Sequence, residues 1–400
     1  ILGLFMAWGI GANDVANAMG TSVGSKALTL KQAIIIAAIF EFLGAYLAGG
    51  EVTSTIRKGI VDPQLYANDL NIFIIGMMSS LLAAGFWLYI ASNKGWPVST
   101  THSIVGAIVG FVLITKGIDA VSWFTVGEIA SSWITSPLIA GILAFFIYLS
   151  AKKLIIDAKN QVTAAIFYIP FYSFFVAGVI AQVIARKGLS HIGLTWSDNE
   201  IWFFTALIAL LTGGLTSLAL RLSKESISSK GGIEYAFGIL MIVTACAMAF
   251  AHGSNDVANA IGPLAAIISV VNSSDLSSTA PINPAILLLG GAGIVLGLST
   301  LGYKVIKTVG EKITKLTPSL GFSAEMAAAS TVVFASYLGF PISTTHTLIG
   351  GVVGVGLANS AKDVDWSSVY RIFASWIITI PIGAVFTILF YVFLRVIFNV

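Results

Sequence analysis

Two polar clusters with the same spacing, Asn-Asp-x-x-Asn, lie inside otherwise apolar stretches of this 400-residue chain. Their members are Asn13, Asp14 and Asn17 in the first copy, and Asn255, Asp256 and Asn259 in the second. Residues three and four apart share one face of a helix, so the three side chains of each copy converge. Carboxylate and amide oxygens are costly in apolar surroundings unless they line a cavity or hold a cation, and hard cations such as Na⁺ prefer oxygen ligands. The clusters therefore predict cation binding, with a helix-packing network as the alternative.

A second duplicated motif is rich in hydroxyl groups. Pro97-Val-Ser-Thr-Thr-His102 precedes a glycine-rich apolar segment, and Pro341-Ile-Ser-Thr-Thr-His346 does the same. Hydroxyl residues after a proline are typical of a helix start, where unpaired N–H groups and the positive end of the helix dipole favour an anion. An ordinary helix cap is the alternative, but duplication in step with the Asn-Asp clusters favours an oxyanion site.

Other polar residues in apolar stretches are less specific. Glu41 and Glu325 are lone carboxylates, so each is a possible coupling group or a partner of a neighbouring polar helix. His102 and His346 follow the hydroxyl groups, and we expect packed, hydrogen-bonded imidazoles more than proton carriers. Two Gly-x-x-x-Gly pairs predict close helix contacts. They are Gly106 with Gly110 and Gly350 with Gly354.

The positions of these motifs reveal an internal repeat. Both motifs, together with Trp123 and Trp133, recur in the same order at an offset of about 243 residues. Four matches at nearly one offset predict two copies of one ancestral unit. We therefore predict a first repeat over residues 1–160, a linking pair of transmembrane helices over 161–230, and a second repeat over 231–400.

The composition predicts elements that cross a membrane. Apolar residues make up 57% of the chain and charged residues 10%, in apolar runs of about 20 residues, the length that a spanning helix needs. Segments of alternating hydrophobicity, typical of a β-barrel, are not seen. A net charge of +3 is too small to indicate a nucleic-acid partner. We expect an all-α integral membrane protein with about 12 transmembrane or re-entrant helices. The short segments after Pro97 and Pro341 predict broken helices and helical hairpins, as in secondary transporters.

Loop charges predict the orientation in the bilayer. One basic cluster precedes the linking pair and another follows it, and these clusters comprise Lys152, Lys153, Lys159, Arg221, Lys224 and Lys230. By the positive-inside rule both lie in the cytoplasm. Extending this rule to the loops of each repeat predicts that the two copies insert in opposite senses, with both termini outside the cell membrane.

The paired Gly-x-Asn-Asp-Val-Ala-Asn-Ala and Pro-x-Ser-Thr-Thr-His motifs resemble those of the inorganic phosphate transporter (PiT) family, which includes sodium-dependent type III phosphate transporters. The resemblance spans both repeats. It implies a Na⁺- or H⁺-driven phosphate symporter with an inverted-repeat fold, re-entrant hairpins and a homodimeric assembly. The oxygen-rich Asn-Asp-x-x-Asn clusters favour Na⁺ over H⁺, because they offer several ligands to a cation whereas a proton needs only one titratable group. We therefore expect sodium-coupled symport of inorganic phosphate with two Na⁺ sites, no organic cofactor and no enzymatic activity.

Carried over motif by motif, the resemblance implies a phosphate site formed by Ser99, Thr100 and Thr101 with Ser343, Thr344 and Thr345. It implies cation sites formed by Asp14 and Asn17 and by Asp256 and Asn259. Asn13 and Asn255 could donate to the anion or offer oxygen to the cation. The chain departs from animal members because it lacks their long hydrophilic loop between the repeats.

Other functions remain open at this stage. Proton-coupled phosphate or metal-phosphate symport would use the same carboxylates, and sulfate or arsenate could occupy a hydroxyl-lined anion site. An intramembrane aspartyl hydrolase would also need two Asp residues, but here each lies among Asn residues suited to a cation. A receptor or scaffold without transport would not need buried polar residues twice.

Overall fold

The structure is a computed structural model that describes residues 1–188, 196–229, 231–273, 282–312 and 315–400. Helices account for nearly all of this part of the chain, and one isolated antiparallel bridge joins Val61 to Val121. The helices of the first 160 residues are α1 (Leu2–Gly24), α2 (Leu30–Ala48), α3 (Gly50–Gly59), α4 (Leu70–Asn93), α5 (Thr100–Lys116) and α6 (Trp123–Ala151). Short 3₁₀ turns cover Pro63–Tyr66 and Ile118–Ala120, and a π-helical turn, Lys152–Ile156, extends α6.

The remaining helices follow in chain order. They are α7 (Gln161–Val183), α8 (Asp198–Leu222), α9 (Lys224–Ser228), α10 (Gly232–Ser273), α11 (Pro284–Thr300), α12 (Gly302–Lys312), α13 (Pro318–Tyr337), α14 (Thr344–Ser360) and α15 (Trp366–Phe398). A π-helical turn, Ile184–Gly188, extends α7, and a 3₁₀ turn, Ala361–Asp363, precedes α15.

Within the described residues, seven helices are long and apolar enough to cross a membrane. The bent pair α11–α12, with an angle of 66° at the break, would make an eighth span. The chain is therefore a multi-pass membrane protein, as its composition predicts. Helix α10 is 42 residues long and runs without interruption through the second Asn-Asp cluster.

Local signals explain several helix starts. Thr29 accepts a hydrogen bond from the backbone N–H of Gln32, whose side chain accepts one in return from the N–H of Thr29. Ser197 and Glu200 form the same capping box at the start of α8. Each box satisfies backbone N–H groups that the first helical turn cannot pair internally. Proline at the first helical position starts α11 and α13, where its lack of a backbone N–H leaves no donor unpaired.

Helices α1 and α10 form the centre of the molecule. They pack on each other, and almost every side chain around both Asn-Asp clusters is buried. The helical hairpins α4–α5 and α13–α14 pack beside them, so each hydroxyl motif lies at the tip of a hairpin. The helices α6, α7, α8 and α15 expose large apolar side chains, as expected for a surface that faces lipid.

The two halves of the chain contact each other in an exchanged pattern. Helix α5 of the first half packs on α15 of the second, and α14 packs on α6. The predicted glycine contacts are confirmed here: a Cβ atom added at Gly110 would meet the backbone of Ala384, and one at Gly354 would meet that of Gly141. Close backbone approach therefore sets the position of both hydroxyl tips.

Candidate functional site

The two Asp residues lie in the middle of the central helices, far from any helix end. Asp14 lies in α1 and Asp256 in α10, with at most 1% of either side chain exposed. Because their helices continue uninterrupted, the backbone groups around them are bonded within the helix, and the carboxylates need partners from elsewhere. Those partners come from the hydroxyl tips, from Asn side chains and from a histidine.

Each tip is a capped helix start. The hydroxyl of Ser99 accepts a hydrogen bond from the N–H of His102 at 3.2 Å, and Ser343 accepts one from His346 at the same distance. The predicted N-caps are thus confirmed. The first N–H groups of α5 and α14 have no acceptor within their own helices, which gives each tip the polarity that favours an anion.

Two kinds of hydrogen bond connect the clusters to the tips. Thr100 donates to Asp14 Oδ2 at 2.6 Å, and Thr344 donates to Asp256 Oδ2 at 2.6 Å. The Asn residues reach across to the tip of the opposite half: Asn17 Nδ2 donates to Thr345 Oγ1 at 2.8 Å, and Asn259 Nδ2 to Thr100 Oγ1 at 3.2 Å. Each half therefore supplies a carboxylate to its own tip and an amide to the other.

The tips also contact each other. The hydroxyl of Thr101 donates to the carbonyl of Ile342 at 3.0 Å, and that of Thr345 lies 3.4 Å from the carbonyl of Val98. All six Ser and Thr residues of the predicted phosphate site are buried and brought together at this point. They are Ser99, Thr100, Thr101, Ser343, Thr344 and Thr345.

The side chains of Asn13 and Asn255 bond to the two hairpins. Asn13 Nδ2 donates to Ser92 and to the carbonyl of Trp96, and its Oδ1 accepts from Val98. Asn255 Nδ2 donates to Ser336 and to the carbonyl of Phe340. An amide nitrogen has two hydrogens, and both are used in each case, so donation to an anion is not supported. These residues fix the hairpins to the central helices.

Sequence reasoning missed His252, which occupies the centre of the site. Its Nε2 lies 3.0 Å from Asp256 Oδ2 and 3.9 Å from Asp14 Oδ2, while its Nδ1 lies 3.1 Å from Glu41 Oε2. All four side chains are buried. The spacing of His252 and Asp256, four residues apart in one helix, was the available signal. The repeat hid it, because the matching position in the first half holds Ile10.

Several buried oxygens near this histidine can act as cation ligands. Asp14 Oδ1, Asp256 Oδ1 and Asn259 Oδ1 have no hydrogen-bond partner within the described part of the chain. One ligand atom each from Asp14, His252 and Asp256 lies within 4.8 Å of the others. Buried acceptors without donors are costly, and a bound cation would remove that cost. The donor set therefore fits a hard cation such as Na⁺.

Glu325 lies in a cluster of its own. Thr21 and Ser22 of α1 each donate to Glu325 Oε1 at 2.5 Å, and Thr244 of α10 donates to Oε2 at 2.7 Å. This arrangement corresponds to the alternative in which the carboxylate pairs with neighbouring polar helices. Glu41, in contrast, belongs to the central site through His252.

The two tip histidines are packed and hydrogen-bonded, as expected. His102 Nδ1 lies 3.1 Å from the carbonyl of Trp376, and His346 Nδ1 lies 3.0 Å from that of Trp133. His346 also stacks on the Trp376 ring, with 3.3 Å between ring centroids. These contacts join each tip to the long helix of the opposite half and hold it in place.

The chain is similar to known phosphate transport proteins. A model of the phosphate transporter family matches residues 10–387. A candidate phosphate permease of Haemophilus influenzae is 48% identical over 100% of this chain and 96% of its own. The chloroplastic inorganic phosphate transporter 2-1 of Arabidopsis thaliana is 43% identical over 98% of this chain and 70% of its own.

A solved structure is also similar. It is described as the sodium-dependent phosphate transporter, with a TM-score of 0.92 and 40% sequence identity. The match covers 99% of this chain and 98% of that one, so the similarity includes both hairpins and both central helices.

Proposed function

The chain belongs to the phosphate transporter family, and from this premise we propose that it carries inorganic phosphate across the cell membrane in symport with Na⁺. It is a transporter and not an enzyme, so the two Asp residues are assigned to ion binding and not to hydrolysis. The sodium-dependent transport named for the similar structure supports the choice of coupling ion.

The observation that carries this proposal is the reciprocal contact between tips and carboxylates. Thr100 and Thr344 each bond to an Asp, and each also accepts from the Asn of the opposite half. An anion at the tips and a cation at the carboxylates would therefore share the same threonines. Filling one site changes the partners of the other, which is the physical basis of coupling.

We assign the tips to phosphate. Their hydroxyl groups, together with the first N–H groups of α5 and α14, supply neutral donors at the positive ends of two helix dipoles. To bind there, phosphate must replace the contacts between the tips, such as that of Thr101 with Ile342. The binding energy of phosphate would thus be used to separate the tips.

We assign Na⁺ to the unpartnered oxygens of Asp14, Asp256 and Asn259, with Asn17 as the fourth member of the two predicted sites. One cation near each carboxylate would compensate two buried negative charges, for which His252 is the nearest cationic candidate among the described residues. Proton coupling is the second candidate, favoured by the continuous contact of Glu41, His252 and Asp256.

Uptake by reconstituted liposomes tests the coupling ion. Phosphate-free liposomes are given external phosphate at one fixed pH, with either Na⁺ or choline outside. We expect accumulation only with an inward Na⁺ gradient. Equal uptake in choline would exclude sodium coupling, and a response to an imposed pH gradient in that medium would assign the coupling to protons.

The architecture that we propose has two repeats, 1–160 and 231–400, inserted in opposite senses and linked by the helix pair within 161–230. The reciprocal contacts of Asn17 with Thr345 and of Asn259 with Thr100 support a two-fold relation between the halves. We further propose a homodimer, with both termini outside. Crosslinking in membranes, followed by mass determination, tests the dimer.

A further inference from the structure

A cavity of about 510 Å³ lies beside the first hydroxyl tip, between α4, α12 and α15. Its wall is mainly apolar, and the side chains that form most of it are Trp87, Trp96, Val98, Ile372 and Ile378. Trp96, Arg371 and Ile378 are exposed at its rim, so the cavity opens on the surface of the protein. An open apolar cavity between membrane helices has the dimensions and chemistry that suit an acyl chain.

A cationic side chain, that of Arg371, lines this cavity. Arg371 lies in the second turn of α15, and its Nη2 donates to the hydroxyl of Ser368 at 2.8 Å. That hydroxyl donates in turn to Asp365, at 2.6 Å, which orients it. A guanidinium has five N–H donors in a planar arrangement that matches phosphate oxygens, and the bond to Ser368 uses one of them.

Further positive charges lie on the elements that form the cavity. Lys94 Nζ lies 4.5 Å from the centre of the Trp96 ring, and Lys304 Nζ donates to Asn93 Oδ1 at 3.1 Å. Thr308 of α12, the helix that contains Lys304 and Lys307, also lines the cavity. The opening therefore faces the end of the molecule that carries the basic residues Lys304 and Lys307 of α12. By the positive-inside rule we expect this end to be cytoplasmic. Anionic lipids are concentrated in the leaflet on that side.

The other half of the chain lacks this combination. The repeat offset of about 243 residues places Glu128 where the second half has Arg371, and Gly127 where it has Tyr370. Glu128 is exposed, as Arg371 is. A carboxylate at this position would repel an anionic headgroup, so Glu128 offers a matched comparison for Arg371.

We propose that this cavity binds one anionic phospholipid, with its phosphate on Arg371 and an acyl chain along the apolar wall. The site touches the transport machinery, because Asn13 bonds to the carbonyl of Trp96 and to the N–H of Val98, two residues of the cavity wall. A bound lipid would thus stabilise the backbone that anchors the first tip. This inference does not depend on which cation drives transport.

The test uses purified full-length protein in nanodiscs of neutral phosphatidylcholine, with or without added phosphatidylglycerol. We measure retained phosphatidylglycerol by native mass spectrometry, and the thermal unfolding midpoint. Arg371→Gln should lower retention by about fivefold, the effect of one basic residue at an anionic surface. Phosphatidylglycerol should also raise the thermal unfolding midpoint of Arg371→Gln by less than it raises that of the parent. Arg371→Lys should restore part of both, and Glu128→Gln should leave retention unchanged or raise it.

Three results would overturn the proposal. They are equal retention in Arg371→Gln and the parent, loss of retention in Glu128→Gln, and a lipid effect that phosphatidylcholine alone reproduces. Inorganic phosphate separates a lipid site from a phosphate site. The midpoint shift that phosphate causes should be the same in Arg371→Gln as in the parent. Loss of this midpoint shift in Arg371→Gln would assign Arg371 to the path of free phosphate instead. A preserved shift also shows that the variant is folded.

Discussion

At the scale of single residues, we propose that the two carboxylates and the tip hydroxyls bind different ions and are connected by shared threonines. Asp14 and Asp256 each keep one oxygen on a threonine hydroxyl and one without a partner. A buried carboxylate with an unpartnered oxygen favours a cation, whereas a hydroxyl group at a helix start favours an anion. Substitutions at the two kinds of residue should therefore have different effects.

Asp14→Asn and Asp256→Asn should act first on the cation. Removing one partner of a buried charge pair costs about 3–5 kcal/mol, so the Na⁺ concentration for half-maximal uptake should rise about a hundredfold or more. Na⁺ binding to phosphate-free protein, measured by calorimetry, checks this directly. Asp119→Asn, at an exposed position, is the matched control. If both central variants bind Na⁺ as tightly as the parent, the assignment of Asp14 and Asp256 is wrong.

Thr101→Ala and Thr345→Ala should act first on phosphate. A hydrogen bond to a charged group contributes about 1.5–3 kcal/mol, so the phosphate concentration for half-maximal uptake should rise about tenfold or more. Na⁺ binding without phosphate should stay nearly intact. Thr212→Ala is the control, since that hydroxyl donates to the carbonyl of Ile208 in its own helix, away from the tips. A loss of Na⁺ binding equal to the loss of phosphate affinity would contradict the separation of roles.

The sequence alone predicted most of these side chains, since their motifs are local. Asp14 and Thr100 follow from spacing within a helix and from a helix start. His252 did not follow, and Glu41 was recognised only as a lone carboxylate, because the two residues come from α10 and α2 and meet only in the folded chain. The true partners of Asn13 were hidden for the same reason: Trp96 and Val98 belong to a hairpin connection more than 80 residues away.

At the scale of helices, close backbone contacts at glycine residues position the tips. Gly354→Ala would place a Cβ atom against the backbone of Gly141, and such overpacking costs about 1–3 kcal/mol. We expect a lower thermal midpoint together with weaker phosphate uptake, because α14 carries the second tip. Gly214→Ala is the control: nothing lies within 4 Å of its added Cβ, and alanine favours a helix by up to about 1 kcal/mol. A parent-like midpoint in Gly354→Ala would show that the contact is not needed.

Helix types were more predictable than helix ends. Apolar runs indicated the spans, and the proline-hydroxyl motifs indicated the starts of α5 and α14. The length of α10 was not predicted, since its polar cluster at 255–259 interrupts the apolar pattern while the backbone stays helical. Packing against α1, α2 and α13 stabilises α10 at this cluster, because it supplies partners for polar side chains that would otherwise be costly to bury.

At the scale of the whole molecule, orientation in the bilayer is the open prediction. Helix α8, Asp198–Leu222, is long and apolar enough to cross the membrane once, so we expect exposed residues at its two ends on opposite sides. If the basic clusters at 152–159 and 221–230 are cytoplasmic, a cysteine replacing Asn199 should react with an impermeant thiol reagent in intact cells. One replacing Ser228 should be shielded. Both residues are exposed in the fold, so access depends on the membrane and not on burial.

The labelling should be done in a Cys246→Ala background, because Cys246 is the one native cysteine of the chain. Permeabilised cells provide the control, since both new cysteines should then react equally. Reaction at residue 228 and protection at residue 199 in intact cells would reverse the orientation. Such a reversal would also place the Arg371 cavity in the outer leaflet, where anionic lipid is less abundant, so this experiment bears on the lipid site as well as on the direction of transport.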